Sequence, residues 1–247
     1  HTMGKATGEW FLNYLFRKPE FLPGQWEIVE RMLQGNDSIV LLPTGAGKSI
    51  SFQLGALLRG GCCVVVEPIN ALIDDQLENL RHYGIDRCGT INSTQKPEEK
   101  DQGTNLIRVG HYSFTYVSPE RFAIAEFRTA LKACGTHSAF SAIVIDEAHC
   151  VSEWGHDFRT SYLSLADSAR EFCHSDLGAL PPITALTGTA SYAVLRDVQR
   201  ILNIDSPDSL ITPLSFDRPE LTFRVVSSPS GEKRGQLSSL LESIPTD

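Results

Sequence analysis

The chain has 247 residues, 41% of them hydrophobic and 21% charged, with a formal net charge of −8 and six cysteines. The length allows one large α/β domain or one domain plus a piece of another, and the apolar content is enough for a sizeable core. The acidic balance excludes a broad basic surface that coats a duplex, so any polymer contact must be narrow.

No apolar run reaches membrane-span length and no leader with a cleavage site is visible, so a soluble intracellular protein with no membrane partner is expected, cytoplasmic if bacterial and nuclear if eukaryotic. The cysteines form no CxxC pair and no zinc spacing, and all six read as free thiols in a reducing compartment.

In chain order, His1-Thr2-Met3 reads as an expression-tag remnant, leaving residues 4–24 as an entry segment. Within it Trp10 to Phe16 is amphipathic, and Phe21-Leu22-Pro23-Gly24-Gln25 is a turn feeding a helix that carries Ile28, Val29, Met32 and Leu33. Gln25 then stands at a helix start, where its amide has both the donor and the acceptor to pair with adenine. Taken alone, that turn is better read as holding a solvated first-turn glutamine.

An apolar run from Ile39 to Leu42 follows, then Pro43-Thr44-Gly45-Ala46-Gly47-Lys48-Ser49, then a helical pattern from Ile50 to Leu58. Strand, loop and helix in that order are the context a phosphate-binding loop requires. The glycines let successive backbone N–H groups turn inward around a phosphate, Lys48 reaches the β and γ phosphates, and the Ser49 hydroxyl faces Mg²⁺. The strict pattern wants glycine at position 42, where this chain has Leu42.

Beyond the loop the chain alternates between strands and helices: strand Cys63 to Val66, helix Ile69 to Leu80, strand Cys88 to Ile91 and helix Lys96 to Ile107. Strand Ser113 to Val117, helix Glu120 to Leu131 and a strand at Ile143 follow. A helix through Leu163 to Phe172, strand Ile183 to Leu186, helix Tyr192 to Leu202 and a strand near Leu210 to Thr212 complete the pattern. Such alternation predicts a mostly parallel sheet with helices on both faces, over residues 25–214. From Ser215 to the last residue the composition shifts to a Pro/Ser/Gly-bearing connector with a strand, Leu221 to Val226, and a helix, Gln236 to Ile244.

The stretch Ile143 to Arg159, IVIDEAHCVSEWGHDFR, carries the chemistry. Its apolar start reads as a buried strand, so Asp146 and Glu147 emerge at the carboxyl end, where ligands of open α/β sheets sit. Asp146 can hold Mg²⁺, and Glu147 can orient or deprotonate the water that attacks a γ-phosphate. A DE pair after an apolar run is by itself most often a solvated loop; the upstream phosphate-binding pattern is what makes the pair informative. Two further strand-end loops, Glu67-Pro68-Ile69-Asn70-Ala71 and Ser118-Pro119-Glu120-Arg121, place small polar residues and helix starts on the same edge, suited to backbone phosphates of a polymer or, more simply, to helix capping.

With these pieces set down, the chain resembles the first motor domain of superfamily 2 helicases, and within them the RecQ-like DNA helicases. FLPGQ is similar to the adenine-reading motif, PTGAGKS to motif I, VVVEPINALIDDQ to motif Ia, INSTQ to the next loop and YVSPERF to motif Ib. DEAHCVSEWGHDFR is similar to motif II with its aromatic-rich loop, ALTGTAS to motif III and SFDRPEL to the entry into the second motor domain. The motif II segment is the most specific, because a DEAH box also marks RNA helicases whereas Cys150, Ser152 and Trp154 to Arg159 follow the RecQ-like version.

The resemblance implies a RecA-like P-loop fold, ATP and Mg²⁺ as cofactors, and single-stranded or partly duplex DNA as partner. It implies adenine contact by Gln25, phosphate contact by Thr44, Gly45, Ala46, Gly47 and Lys48, metal coordination by Ser49 and Asp146, and water activation by Glu147, with His149 also in the catalytic set as a link from that site toward the strand. Thr187, Gly188 and Thr189 would couple that site to a strand held by Pro68, Asn70, Ser118, Arg121, Trp154, His156, Phe158 and Arg159. Leu22 stands where the family usually has arginine and Lys18 where it has tyrosine, which puts adenine stacking in doubt; Gly188 stands where alanine is usual.

The family's second RecA-like domain, with its arginine finger, is not in this sequence. The expectation is therefore the ATP-binding half of a 3′-to-5′ DNA helicase, nearly inactive alone, against a nucleotide-gated binding module or an RNA helicase as alternatives.

Overall fold

The structure is a computed structural model that describes residues 3–43, 45–92, 94–152, 159–176, 180–212, 225, 227, 229 and 231–242. Seven short strands make one sheet: β1 (Ser38–Leu41), β2 (Cys62–Val66), β3 (Cys88–Ile91), β4 (Phe114–Val117), β5 (Phe140–Ile145), β6 (Ile183–Thr187) and β7 (Leu210–Ile211), in the order β3-β4-β2-β5-β6-β1-β7. Every pairing among them is parallel, as the alternation predicts.

A parallel sheet must be covered on both faces, and the strand side chains divide accordingly. Cys62, Val64 and Val66 of β2, with Ile143 and Ile145 of β5, pack into one layer, while Cys63 and Val65, with Ala142 and Val144, pack into the other. The first layer is closed by α6 (Ala125–His137), α7 (Leu165–Phe172) and α8 (Tyr192–Leu202), through Phe127 and Leu131, Leu165 and Ala169, and Val194 and Val198. The second is closed by α2 (Gln25–Gln34), α3 (Lys48–Arg59) and α4 (Asn70–His82), through Ile28 and Met32, Phe52 and Ala56, and Ile73 and Leu77. Each fully buried side chain of this size contributes about 1.5–3 kcal/mol relative to exposure. A smaller cluster, with Leu12, Phe16, Phe21, Val29 and Leu54, fastens α1 (Lys5–Phe16) to α2 and α3. The remaining α helix of the sheet domain is α5 (Pro97–Arg108).

One predicted helix is broken where the sequence pattern is continuous. The Glu120 to Leu131 pattern is a 3₁₀ turn, Pro119–Ala123, followed by α6, with Ile124 extended between them at φ −88° and ψ 119°. The break lets Phe122 and Phe127 meet edge to face at 5.4 Å inside one layer. The helix predicted through Leu163 to Phe172 is α7, preceded by a 3₁₀ turn, Thr160–Tyr162, that buries Tyr162 completely.

Backbone contacts separate His1–Leu214 from Ser215–Asp247. In the second unit a helix, α9 (Lys233–Glu242), covers most of the helix read from Gln236. The strand read over residues 221–226 lies outside the described residues apart from Val225, as do the first two tag-like residues and residues 243 and 244. All six cysteines are free and buried. No helix among the described residues is long and apolar enough to cross a membrane.

Candidate nucleotide and strand site

Strand order and register bring the sequence motifs together. Leu41 pairs with Thr187, Ile145 with Ala185, Val66 with Ile145 and Val117 with Val66, so β1, β6, β5, β2 and β4 end nearly level. The phosphate-loop residues, Thr187 to Thr189, the Asp146–Glu147 pair, Glu67–Pro68 and Ser118 therefore leave the sheet on one edge, with the loop after β6 between the first and the third.

The phosphate loop follows β1 as expected. Leu42 is buried in the layer under α2 and α3 and lies against Gly24, where a Cβ would come within 2.9 Å of it; a side chain at 42 is thus directed away from the loop's open face. Gly45 and Gly47 have φ of +86° and +71°, which lets the loop turn at little steric cost. Lys48 opens α3, and its Nζ donates to the carbonyls of Leu42 at 2.8 Å and Pro43 at 3.4 Å. Burial lowers the lysine's pKa, and Asp146 and Glu147 act in the opposite sense. The ammonium has three donors, so one is left for a ligand in this arrangement. Thr44 lies outside the described residues.

Gln25 is not the solvated first-turn residue that its turn alone suggests. It is buried, its Nε2 donates to Ala46 O at 2.9 Å and Gly47 O at 3.3 Å, and its Oε1 accepts from Leu22 N at 3.0 Å. A Cβ on Gly47 would come within 2.3 Å of that Nε2. The amide clamps the loop. Both its N–H groups are engaged there, so pairing with two edges of a base requires one of these bonds to be released.

At the end of β5, Glu147 takes a left-handed conformation, φ 47° and ψ 45°, unusual for a residue with a side chain. Its N–H donates to Asp146 Oδ1 at 2.9 Å, and its Oε2 stands 3.1 Å from His149 Nδ1. The same Nδ1 stands 3.1 Å from Thr187 Oγ1, whose own proton goes to Thr189 O at 2.9 Å. With that hydroxyl proton spent, the threonine oxygen accepts and Nδ1 carries the proton. The Cys150 side chain and then the Glu147 carboxylate raise the His149 pKa to about 10, and His149 in turn lowers that of Glu147. Desolvation pushes Asp146 up to about 6. Glu147, His149, Thr187 and Thr189 thus form one connected unit, while the neighbouring Gly188 is half-buried.

Glu67, which the sequence shows only as part of a strand-end loop, follows β2 as Asp146 follows β5. Its side chain is buried, Oε1 accepts from Ile69 N at 3.0 Å, and burial followed by the nearby Asp146 charge raises its pKa to about 8. The signal was present: a carboxylate directly after a fully apolar strand. Gln53, Gln76 and Tyr116 meet behind Ser49, a role the sequence does not announce although Gln76 closes the stretch similar to motif Ia and Tyr116 opens the one similar to motif Ib.

On the polymer side, Pro68 O accepts from Arg159 Nη1 at 3.2 Å, and Asn92 O from Arg121 Nη2 at 3.0 Å. Ile69 is the N-cap of α4, and Ser118, the N-cap of the 3₁₀ turn at Pro119–Ala123, makes no side-chain capping bond. Trp154, His156 and Phe158 lie outside the described residues. Of the residues that flank them, Ser152 donates through Oγ to Asp197 Oδ2 at 2.6 Å, and Arg159 N donates to Cys150 O at 2.9 Å.

The family model for the DEAD/DEAH box helicase matches residues 22–198. The ATP-dependent DNA helicase RecQ of Pasteurella multocida is 37% identical over 222 residues, 90% of this chain and 33% of that protein. The probable ATP-dependent DNA helicase RecS of Bacillus subtilis is 34% identical, over 94% of this chain and 44% of its own length. The ATP-dependent helicase wrn-1 of Caenorhabditis elegans is 41% identical, over 88% of this chain and 20% of its own length. The chain thus spans under half the length of these relatives. Among solved structures, the DUF1998 helicase MrfA matches with a TM-score of 0.62 at 16% identity, over 86% of this chain and 34% of that one. The Pyrococcus furiosus Hef helicase domain matches with 0.56 at 18%, over 74% and 36%. These two likenesses speak to the fold.

Proposed function

The chain belongs to the DEAD/DEAH box helicases, in their RecQ-like branch, and from that premise we propose that residues 25–214 are the ATP-binding half of a DNA helicase. In this reading the domain couples ATP hydrolysis to movement along single-stranded DNA, and a second RecA-like domain of the parent protein completes the site. The observation that carries the proposal is the Glu147–His149–Thr187–Thr189 unit, which joins the carboxylate beside the phosphate loop to the loop after β6 through bonds of 2.9–3.1 Å.

The donor set fits Mg²⁺. Ser49 and Asp146 offer hard oxygens, and no group of three His, Cys, Asp or Glu side chains among the described residues could hold a metal. Mg²⁺ keeps several waters and is held by one or two protein oxygens plus substrate phosphates, so a sparse set suits it. When bound it would neutralise phosphate charge, and it would favour the ionised form of Asp146. Lys48 would reach the phosphates through its remaining donor or by leaving the Leu42 and Pro43 carbonyls. Glu147, kept ionised by His149, would accept the proton of the attacking water. Gln25 would contribute through the shape of the loop, and to adenine after releasing one carbonyl.

Pro68, Asn70, Ser118, Arg121 and Arg159 would track the backbone of the strand, while Trp154, His156 and Phe158 would offer stacking or sensing contacts. The test is the ATPase of the full-length parent with no polynucleotide, with single-stranded DNA and with RNA. Stimulation by DNA above that by RNA supports the reading; RNA at least equal to DNA makes it an RNA helicase; absence of turnover with binding retained makes it a nucleotide-gated module.

A further inference from the structure

Behind the phosphate loop, a run of uncharged polar side chains enters the apolar layer between the sheet and helices α3 and α4. Ser49 Oγ accepts from Gln76 Nε2 at 2.8 Å. Gln76 Oε1 accepts from Gln53 Nε2 at 3.0 Å, and the same nitrogen donates to the Tyr116 hydroxyl at 3.2 Å. Gln53 is 3% exposed and Tyr116 1%. Burying a primary amide in an apolar layer costs free energy unless its groups are bonded, so this run is not a default of packing.

The run also has a direction. Gln53 gives N–H to Gln76, Gln76 therefore meets it with oxygen, and its own N–H is turned to Ser49. That bond occupies one lone pair of the Ser49 hydroxyl and leaves the other free, with the O–H proton able to point away from a cation.

We infer that Gln76 is a positioning residue for the Ser49 hydroxyl, orienting it as a metal ligand, and that Gln53 and Tyr116 lock the Gln76 amide for that role. The inference rests on the reading of Ser49 as a ligand of the nucleotide's divalent cation. It adds a specific dependence: metal-bound nucleotide should need Gln76, and metal-free nucleotide should not. A glutamine on α4 that merely fastened α4 to α3 would affect both alike.

The experiment measures ATP binding to the full-length parent as a function of Mg²⁺, and in excess EDTA, for the parent sequence, Gln76→Leu, Ser49→Ala and the double variant. Melting temperature is recorded for each. Gln76→Leu is expected to raise the Mg²⁺ concentration for half-maximal ATP binding by about 5- to 10-fold, the size of one neutral hydrogen bond. Affinity in EDTA should stay within about twofold. In the Ser49→Ala background the same change should no longer shift the Mg²⁺ requirement. Gln53→Leu, with Gln76 intact, should shift it in the same direction and less.

An unchanged Mg²⁺ requirement in Gln76→Leu overturns the inference. So does an equal shift with and without Ser49, or a parallel loss in EDTA. Should the parent itself bind ATP with no dependence on Mg²⁺, or not bind it, the nucleotide-site reading fails and this inference falls with it.

Discussion

The nucleotide side and the strand side of the sheet edge hold their charges in different ways. On the nucleotide side Glu147 and His149 compensate each other at 3.1 Å, and both are shifted toward their charged forms. On the strand side Arg121 and Arg159 donate to the neutral carbonyls of Asn92 and Pro68. A hydrogen bond from a charged guanidinium to a carbonyl contributes about 1.5–3 kcal/mol, and a phosphate that took the same donors would replace it with a stronger bond between two charges. Breaking into a part-buried ion pair is more expensive. In the proposed reading the first region keeps its charges in place and the second releases them to a polymer. Lys48 belongs to the second kind, since it too donates to backbone carbonyls.

The comparison breaks most visibly at Glu147. In the full-length parent Glu147→Gln should keep ATP affinity and reduce hydrolysis by about 10² to 10⁴, the usual worth of a positioned base; calorimetry beside a phosphate-release assay reads both. Lys48→Ala should do the reverse of sparing affinity, weakening ATP binding by roughly 10- to 100-fold, about the 1.5–3 kcal/mol of hydrogen bonds to a charged group. If both variants bound ATP like the parent and still turned over, the assignment of this edge would be wrong.

Trp154→Ala sharpens the strand side. It should spare basal ATPase and remove most of the stimulation by single-stranded DNA, with a stacking contribution of about 1–3 kcal/mol per base. Truncating a core tryptophan instead costs about 3–5 kcal/mol of stability, so a large fall in melting temperature with stimulation retained would refute the coupling role.

Legibility in the sequence followed periodicity and failed where long-range contacts decide. Apolar runs showed most strands to within a residue or two, because a strand buried on both faces leaves little room for polar residues, whereas β5 begins at Phe140, three residues before the run at Ile143. The break at Ile124 was hidden, since helical propensity on either side is ordinary and only the meeting of Phe122 with Phe127 rewards it. The phosphate loop was readable because its chemistry is local. Gln25 was readable by position, while its burial against Ala46 and Gly47, more than 20 residues away, was not. Gln53, Gln76 and Tyr116 come from two helices and a strand, and no window of sequence holds all three.

The smallest expected effect is a pH dependence at Glu67. Its folded pKa, raised to about 8, lies above the ordinary value of 4.5, so the folded state binds the proton more tightly than the unfolded state. Stability from this group is therefore fully present below about pH 4.5 and lost as pH rises through about 8. Glu67→Gln, which keeps an oxygen for the Ile69 N–H, should melt at the same temperature as the parent at pH 4.5 and a few degrees higher at pH 9. Equal melting at both values would remove the carboxyl from the buried set.

The central claim, that this chain is the ATP-binding half of a two-domain motor, is tested most directly by comparing turnover of the 247-residue chain with that of its full-length parent, each with single-stranded DNA. An arginine finger supplied by a second domain is worth about 10³ to 10⁵ in rate in related phosphoryl-transfer sites. The isolated chain should hydrolyse ATP slower than the parent by a factor of that order and without response to DNA. Turnover by the chain alone close to that of the parent would contradict it.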